Sequence, residues 1–116
     1  MASENINRKI AVIFATDVVG YSTSMEANEV QTLKNLKACK KILDDLFIQH
    51  GGHVFNTAGD SVLAEFSSAV SAVVCASEFQ KLIRERNKSV ENFQKMEFRI
   101  GINMGDVVKE DGNLYG

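Results

Sequence analysis

The sequence predicts an α+β domain with helices packed on one face of a mostly antiparallel sheet. Short apolar runs of strand character alternate with two long stretches of helical periodicity, in the order β, α, β-hairpin, α, β and a partial β. Two of the short runs are separated by only two turn residues, Gly59 and Asp60. The chain of 116 residues is 45% hydrophobic and 24% charged, the size and balance of one globular domain.

Each element has its own signal. Residues 9–16 form an almost unbroken apolar run rich in branched side chains, the pattern of a central strand covered on both faces. Asp17 ends it, and Gly20, Tyr21 and Ser22 form a turn. Asn28 with Gln31 three positions later is a helix N-cap arrangement. Val30, Leu33, Leu36 or Lys37, Leu43, Leu46 and Phe47 then recur every three or four residues, giving a long amphipathic helix that Gly51 and Gly52 terminate. Residues 53–58 and 61–66 are the arms of a hairpin. Ser67 or Ser68 can cap a second helix with a buried stripe of Ala72, Cys75 or Ala76, Phe79, and Leu82 or Ile83, running to about Asn87. Residues 88–95 are a polar linker. Phe98, Ile100, Ile102 and Met104 alternate with Arg99, Gly101, Asn103 and Gly105, a period-two strand, and Asp106 begins another before a turn at Asp111 and Gly112. The sequence stops at Gly116 in mid-strand or turn, so it is expected to be the first part of a longer domain.

Composition excludes several functions. Thirteen Lys plus Arg against fifteen Asp plus Glu leave a net charge of -2, without the basic excess of a phosphate-backbone binder, so no nucleic-acid partner is expected. Lys34, Lys37, Lys40 and Lys41 are followed by Asp44 and Asp45 and read as a solvated helix face. The apolar stretch 10–15 is far short of the roughly 20 residues a bilayer span needs, and the N-terminus lacks a basic flank with an apolar core. No membrane segment and a cytoplasmic location are expected. Cys39 and Cys75 lie in helical stretches and read as small core residues. His50 and His53 alone supply too few ligands for a metal centre.

Two acidic residues occupy places where chemistry is feasible. Asp17 follows the first strand, and Asp60 lies in the turn of the hairpin. If the hairpin pairs beside that strand, both carboxylates reach one end of the sheet, and two carboxylates plus a backbone carbonyl suffice for magnesium, which keeps waters and takes phosphate oxygens. Taken alone, both also read as ordinary turn residues. The glycine in the segment from Val18 to Ser22 could aim backbone N–H groups at an anion, or serve backbone geometry only.

Three blocks in order shift the balance: FATDVVGYS at 14–22, HGGHVFNTAGDSVLAEF at 50–66 and FRIGINMGDV at 98–107. Together they resemble the class III adenylyl and guanylyl cyclase catalytic domain, particularly its bacterial members, over roughly the N-terminal two thirds of that domain. The resemblance implies a ferredoxin-like (palm-type) sheet, an N-terminal tail at 1–8 and a catalytic domain at 9–116 that is incomplete at its C-terminus. Asp17 and Asp60 match the family's two metal-binding aspartates, and the Val18 carbonyl its backbone ligand, for two ions of Mg²⁺ or Mn²⁺. Val19, Gly20, Tyr21 and Ser22 match the turn against the nucleotide phosphates. The implied reaction is attack of the ribose 3'-hydroxyl of ATP on its own α-phosphate, giving 3',5'-cyclic AMP and pyrophosphate for intracellular signalling, with the active sites shared across a homodimer.

The chain departs from the family at the base. A lysine that reads adenine in adenylyl cyclases is here Asn56, and a second base-reading position, commonly aspartate or threonine, is here Asn113. Two asparagines satisfy adenine without excluding guanine, so GTP stands beside ATP as substrate. The family's transition-state asparagine and arginine and its phosphate lysine lie later than Gly116. None of them is in this chain, which alone is expected not to make cyclic nucleotide. The competing reading is a catalytically silent cyclase-like module that regulates, dimerises or binds nucleotide.

Overall fold

The computed structural model describes residues 6–110 and 113–115, and the side chains of residues 10–106. In chain order the elements are β1 (Ile6–Val18), α1 (Tyr21–Ala27), α2 (Glu29–His50), β2 (His53–Ala58), β3 (Ser61–Phe66), α3 (Ala69–Lys88), a 3₁₀ turn (Asn92–Gln94), β4 (Phe98–Glu110) and β5 (Asn113–Tyr115). The strands form one sheet in the order β2-β3-β1-β4-β5, every neighbouring pair antiparallel. Its first four strands have the ferredoxin-like arrangement: α2 carries the chain from β1 over β3 to β2, and α3 carries it from β3 over β1 to β4.

Local signals set the helix ends. The Asn28 side chain accepts from the Gln31 N–H at 3.0 Å, and the Ser68 hydroxyl accepts from the Ser71 N–H at 3.2 Å. At the end of α2, Gly51 takes the left-handed conformation at φ 77°, and the Gly52 N–H donates to the Phe47 carbonyl at 2.8 Å. Both hairpin strands have the predicted bounds. The polar linker contains the 3₁₀ turn, and the turn at Asp111 and Gly112 lies outside the described residues.

Four expectations are corrected. The first strand starts at Ile6, and helices cover one face only: Val12, Phe14, Thr16 and Val18 are buried under them, whereas on the face that no described helix covers Ala11 is buried and Ile13, Ala15 and Asp17 are half-buried. Tyr21 and Ser22 open the seven-residue helix α1 rather than closing a turn. Val30 and Leu33 are exposed, and Thr32 and Asn35 take the buried places at the start of α2 because each has a partner there. Thr32 Oγ1 donates to the Ser24 carbonyl at 2.9 Å, and Asn35 Nδ2 to the Phe93 carbonyl at 3.1 Å. Finally, β4 does not break at Asp106 but pairs with β1 along all of its thirteen residues.

The core lies between the sheet and α2 and α3. Phe14, Phe47 and Phe66 join β1, α2 and β3, with ring centroids 5.2 to 5.8 Å apart, and Phe79 meets Phe98 edge-on at 5.0 Å. Cys75 and Ile83 of α3 and Cys39 and Leu43 of α2 fill the space between, which bears out the reading of both cysteines as core residues.

Gly52 is a packing requirement: a Cβ there would stand 2.7 Å from Phe66 Cζ and 2.8 Å from Phe47 Cδ1. Gly52→Ala therefore overpacks the aromatic cluster and is expected to destabilise by about 1–3 kcal/mol, read as a lower midpoint in thermal unfolding. Gly101→Ala, whose Cβ would meet nothing within 4 Å, is the control with little change.

Burial, and secondarily Glu78, pushes the Cys75 thiol up to about 11 from 9.0, and burial also raises Cys39. The unfolded chain ionises first, so the stability from keeping the thiols neutral is complete below pH 9 and is lost as pH rises from 9 towards 11. Denaturant titrations across that range test the loss. At pH 8 a thiol reagent is expected to label both cysteines only on unfolding.

Candidate active site

The end of the sheet that carries the candidate site is built where β1 stops. The Thr16↔Val62 register puts the turn of the β2–β3 hairpin beside the last residues of β1. There the Val18 N–H donates to Asp60 Oδ2 at 2.9 Å, which ties the hairpin tip to the strand. On the other side β4 places Arg99 directly opposite Asp17, and Arg99 Nε donates to Asp17 Oδ1 at 2.8 Å. Thr16 Oγ1 donates to the Arg99 carbonyl at 2.7 Å and holds that backbone in place.

Beyond Val18 the chain reverses through Val19 and Gly20. The Val19 N–H donates to the Glu97 carbonyl at 2.9 Å, and Gly20 adopts φ 68°, ψ 29°, a conformation that favours glycine. Its carbonyl accepts from the Ser24 N–H at 3.0 Å, starting α1. The result is a cleft of about 340 Å³ lined by Asp17, Val18, Gly20, Tyr21, Ser22, Thr23, Asp60 and Arg99.

Five of the predicted site residues, Asp17, Val18, Gly20, Tyr21 and Ser22, thus meet Asp60 from a distant hairpin. Val19 does not line this cleft; it borders a smaller cavity of about 230 Å³ with Thr32, Asn35 and Met96. Asn56 is exposed on β2 opposite Leu63, which pairs with Ala15, so it lies on the open face of the sheet but two strands from β1. The backbone of Asn113 pairs with Glu110, which pairs with Ile6. At about 3.3 Å per residue, this is on the order of 30 Å along β1 from the level of Ala15. The unbroken course of β4 carries Asn113 away, so a single chain does not bring the two asparagines together.

Sequence reasoning missed Arg99 as a site residue, although it lies in one of the quoted blocks. The signal that could find it is register: an outward-facing arginine on a strand that pairs with the strand ending in Asp17. It is the one cation lining the cleft among the described residues. The hydrogen bond and charge of Asp17, with a further contribution from Asp60, hold its guanidinium above its ordinary pKa.

Two carboxylates are the acidic donors of the cleft, and the described residues contain no cluster of three or more His, Cys, Asp or Glu able to hold a metal. Such a set fits Mg²⁺ or Mn²⁺, which accept a few hard oxygens and complete their shell with water and phosphate, and does not fit a closed zinc site.

The family model of the adenylate and guanylate cyclase catalytic domain matches residues 2–112. The chain belongs to that family. It is 43% identical over 117 residues to "Putative adenylate cyclase 3" of Rhizobium meliloti (strain 1021), covering 100% of this chain and 20% of that protein. The adenylate/guanylate cyclase/hydrolase of Silicibacter pomeroyi superposes with a TM-score of 0.87 at 38% identity, over 97% of this chain and 66% of that one. The guanylyl cyclase Cya2 gives 0.81 at 28% identity, over 95% of this chain and 65% of that one. The chain thus spans a fifth of the curated relative and about two thirds of these solved cyclases. No described helix is long and apolar enough to cross a membrane.

Asp60 serves the fold as well as the cleft, and two substitutions separate the roles. Asp60→Ala leaves the buried Val18 N–H without its acceptor and is expected to destabilise by about 1–3 kcal/mol. Asp60→Asn keeps an acceptor oxygen and should retain most of that stability in urea unfolding.

Proposed function

We propose that the complete domain is a nucleotidyl cyclase that converts ATP into 3',5'-cyclic AMP and pyrophosphate for signalling in the cytoplasm, with GTP as the competing substrate. The observation that carries this reading is the convergence of Asp17, Val18, Asp60 and the Gly20 turn on one cleft. Asp17, Asp60 and the Val18 carbonyl would hold two Mg²⁺ or Mn²⁺ ions. Bound there, the ions supply the charge that makes the ribose 3'-hydroxyl acidic enough to attack and that stabilises the phosphates. The segment from Val19 to Ser22, a turn at Val19 and Gly20 that runs into the start of α1, is assigned to the triphosphate, and its backbone hydrogen bonds form without substrate.

The base would be read by Asn56, which the fold keeps on the open face of the sheet. Asn113 is retained as a contact made from the end of the β4–β5 hairpin. Because Asn56 does not line the cleft that contains Asp17, a homodimer in which one subunit's Asn56 serves its partner's cleft accounts for its placement. Support for a dimer comes from the open face itself, where Ile13, Ala15 and Leu63 are half-buried apolar side chains with no helix over them.

A second reading, a cyclase-like module that binds nucleotide without turnover, is favoured by Asn56 standing where adenylyl cyclases of the family carry lysine. One experiment separates the two: cyclic AMP and cyclic GMP production by the complete protein with Mg²⁺ and with Mn²⁺. Asp17→Ala and Asp60→Asn are expected to abolish both products. Asn56→Lys is expected to raise the preference for ATP over GTP by about 1–3 kcal/mol, since its ammonium donates to adenine N1 but meets a protonated N1 on guanine. Nucleotide binding without turnover by the wild type would establish the second reading, and an active Asp17→Ala variant would overturn the metal assignment.

A further inference from the structure

We propose that Arg99 is a resident counter-ion of Asp17 that a divalent cation has to displace, so that Arg99 sets the metal affinity of the cleft. This inference rests on the assignment of Asp17 and Asp60 as metal ligands. The two carboxylates are held differently. Asp60 is engaged through Oδ2 by the Val18 N–H, a neutral backbone donor that leaves Oδ1 and the negative charge available to a cation. Asp17 is engaged through Oδ1 by the Arg99 Nε–H at 2.8 Å, a full positive charge that offsets the carboxylate's own charge although Oδ2 is not part of the bond.

A cation entering between the carboxylates therefore meets an Asp60 whose charge is not offset by its neutral donor and an Asp17 whose charge Arg99 offsets. It also meets repulsion, because the positively charged guanidinium of Arg99 lines the same cleft as both aspartates. The backbone of Arg99 cannot retreat, since β4 pairs with β1 at this position and Thr16 holds the Arg99 carbonyl. Its side chain can: it is 69% exposed, against 38% for Asp17, so release of the ion pair takes the guanidinium into solvent without disturbing the core. An exposed pair of this kind is weak enough to be broken by a dication and strong enough to shift its binding.

The test is Mn²⁺ binding to the complete protein without nucleotide, read from the electron paramagnetic resonance of the free ion, so that turnover plays no part. Arg99→Gln is expected to bind Mn²⁺ about two- to fivefold more tightly than wild type, with Arg99→Lys between the two. In wild type the Arg99 Nε–H resonance should shift with Mg²⁺ along the same saturation curve. Asp17→Asn is the control for the underlying assignment. If Asp17→Asn loses Mn²⁺ binding while Arg99→Gln binds equally or more weakly, the metal assignment stands and the counter-ion proposal is overturned. Undiminished binding by Asp17→Asn would remove the assignment and the proposal with it.

Discussion

A single hydrogen bond, from the buried Val18 N–H to the Asp60 carboxylate, organises the end of the sheet that carries the candidate site. It joins residues 42 positions apart, caps the last donor of β1 and leaves the rest of the Asp60 carboxylate facing the cleft. The bond forms only because α2 returns the chain to the edge of the sheet and the hairpin then brings β3 alongside β1. The aromatic contacts among Phe14, Phe47 and Phe66 fix that return, and Gly52 allows Phe47 and Phe66 to close over the turn. A core interaction and a site interaction are thus parts of one arrangement.

The sheet is asymmetric in a way that separates stability from chemistry. On the helix side, β1 presents Val12, Phe14, Thr16 and Val18 to α2 and α3, and this face holds the core. The opposite face carries Ala15, Asp17, Leu63, Arg99 and Gly101, small, apolar or charged groups with little above them. A strand rich in branched residues usually signals cover on both sides. Here the second cover is missing from the described residues, and a partner subunit supplies it in the proposed homodimer. The placement of Asn56 away from the cleft of Asp17 in its own chain makes sense under the same arrangement.

Much of this fold was legible from local pattern. The hairpin strands His53–Ala58 and Ser61–Phe66 and the caps at Asn28 and Ser68 follow from turn residues and side-chain acceptors a few positions apart. The stripe Ala72, Cys75, Phe79 and Ile83 follows from helical spacing. The failures share a cause. Helix α1 is a short run containing two serines and a threonine, poor helix formers, and Thr32 of α2 reaches back to its Ser24 carbonyl. Thr32 and Asn35 are buried because they serve carbonyls on other elements, which hydrophobic periodicity cannot register.

For the site, sequence by itself determined the chemistry on offer: two carboxylates at the ends of strands, a glycine turn after the first, and asparagines at the two positions proposed to read a base. These follow from residue identity and from three ordered blocks, which survive without knowledge of packing. Only the tertiary structure decided which of them share a cleft. It brought Asp60 to Asp17 and Val18, turned Val19 away, and separated Asn113 from Asn56 by letting β4 run on unbroken. It also introduced Arg99, whose meeting with Asp17 is a matter of strand register. Register is set by how two distant segments align to bury one face, and a one-residue slip would have put Arg99 on the other side of the sheet.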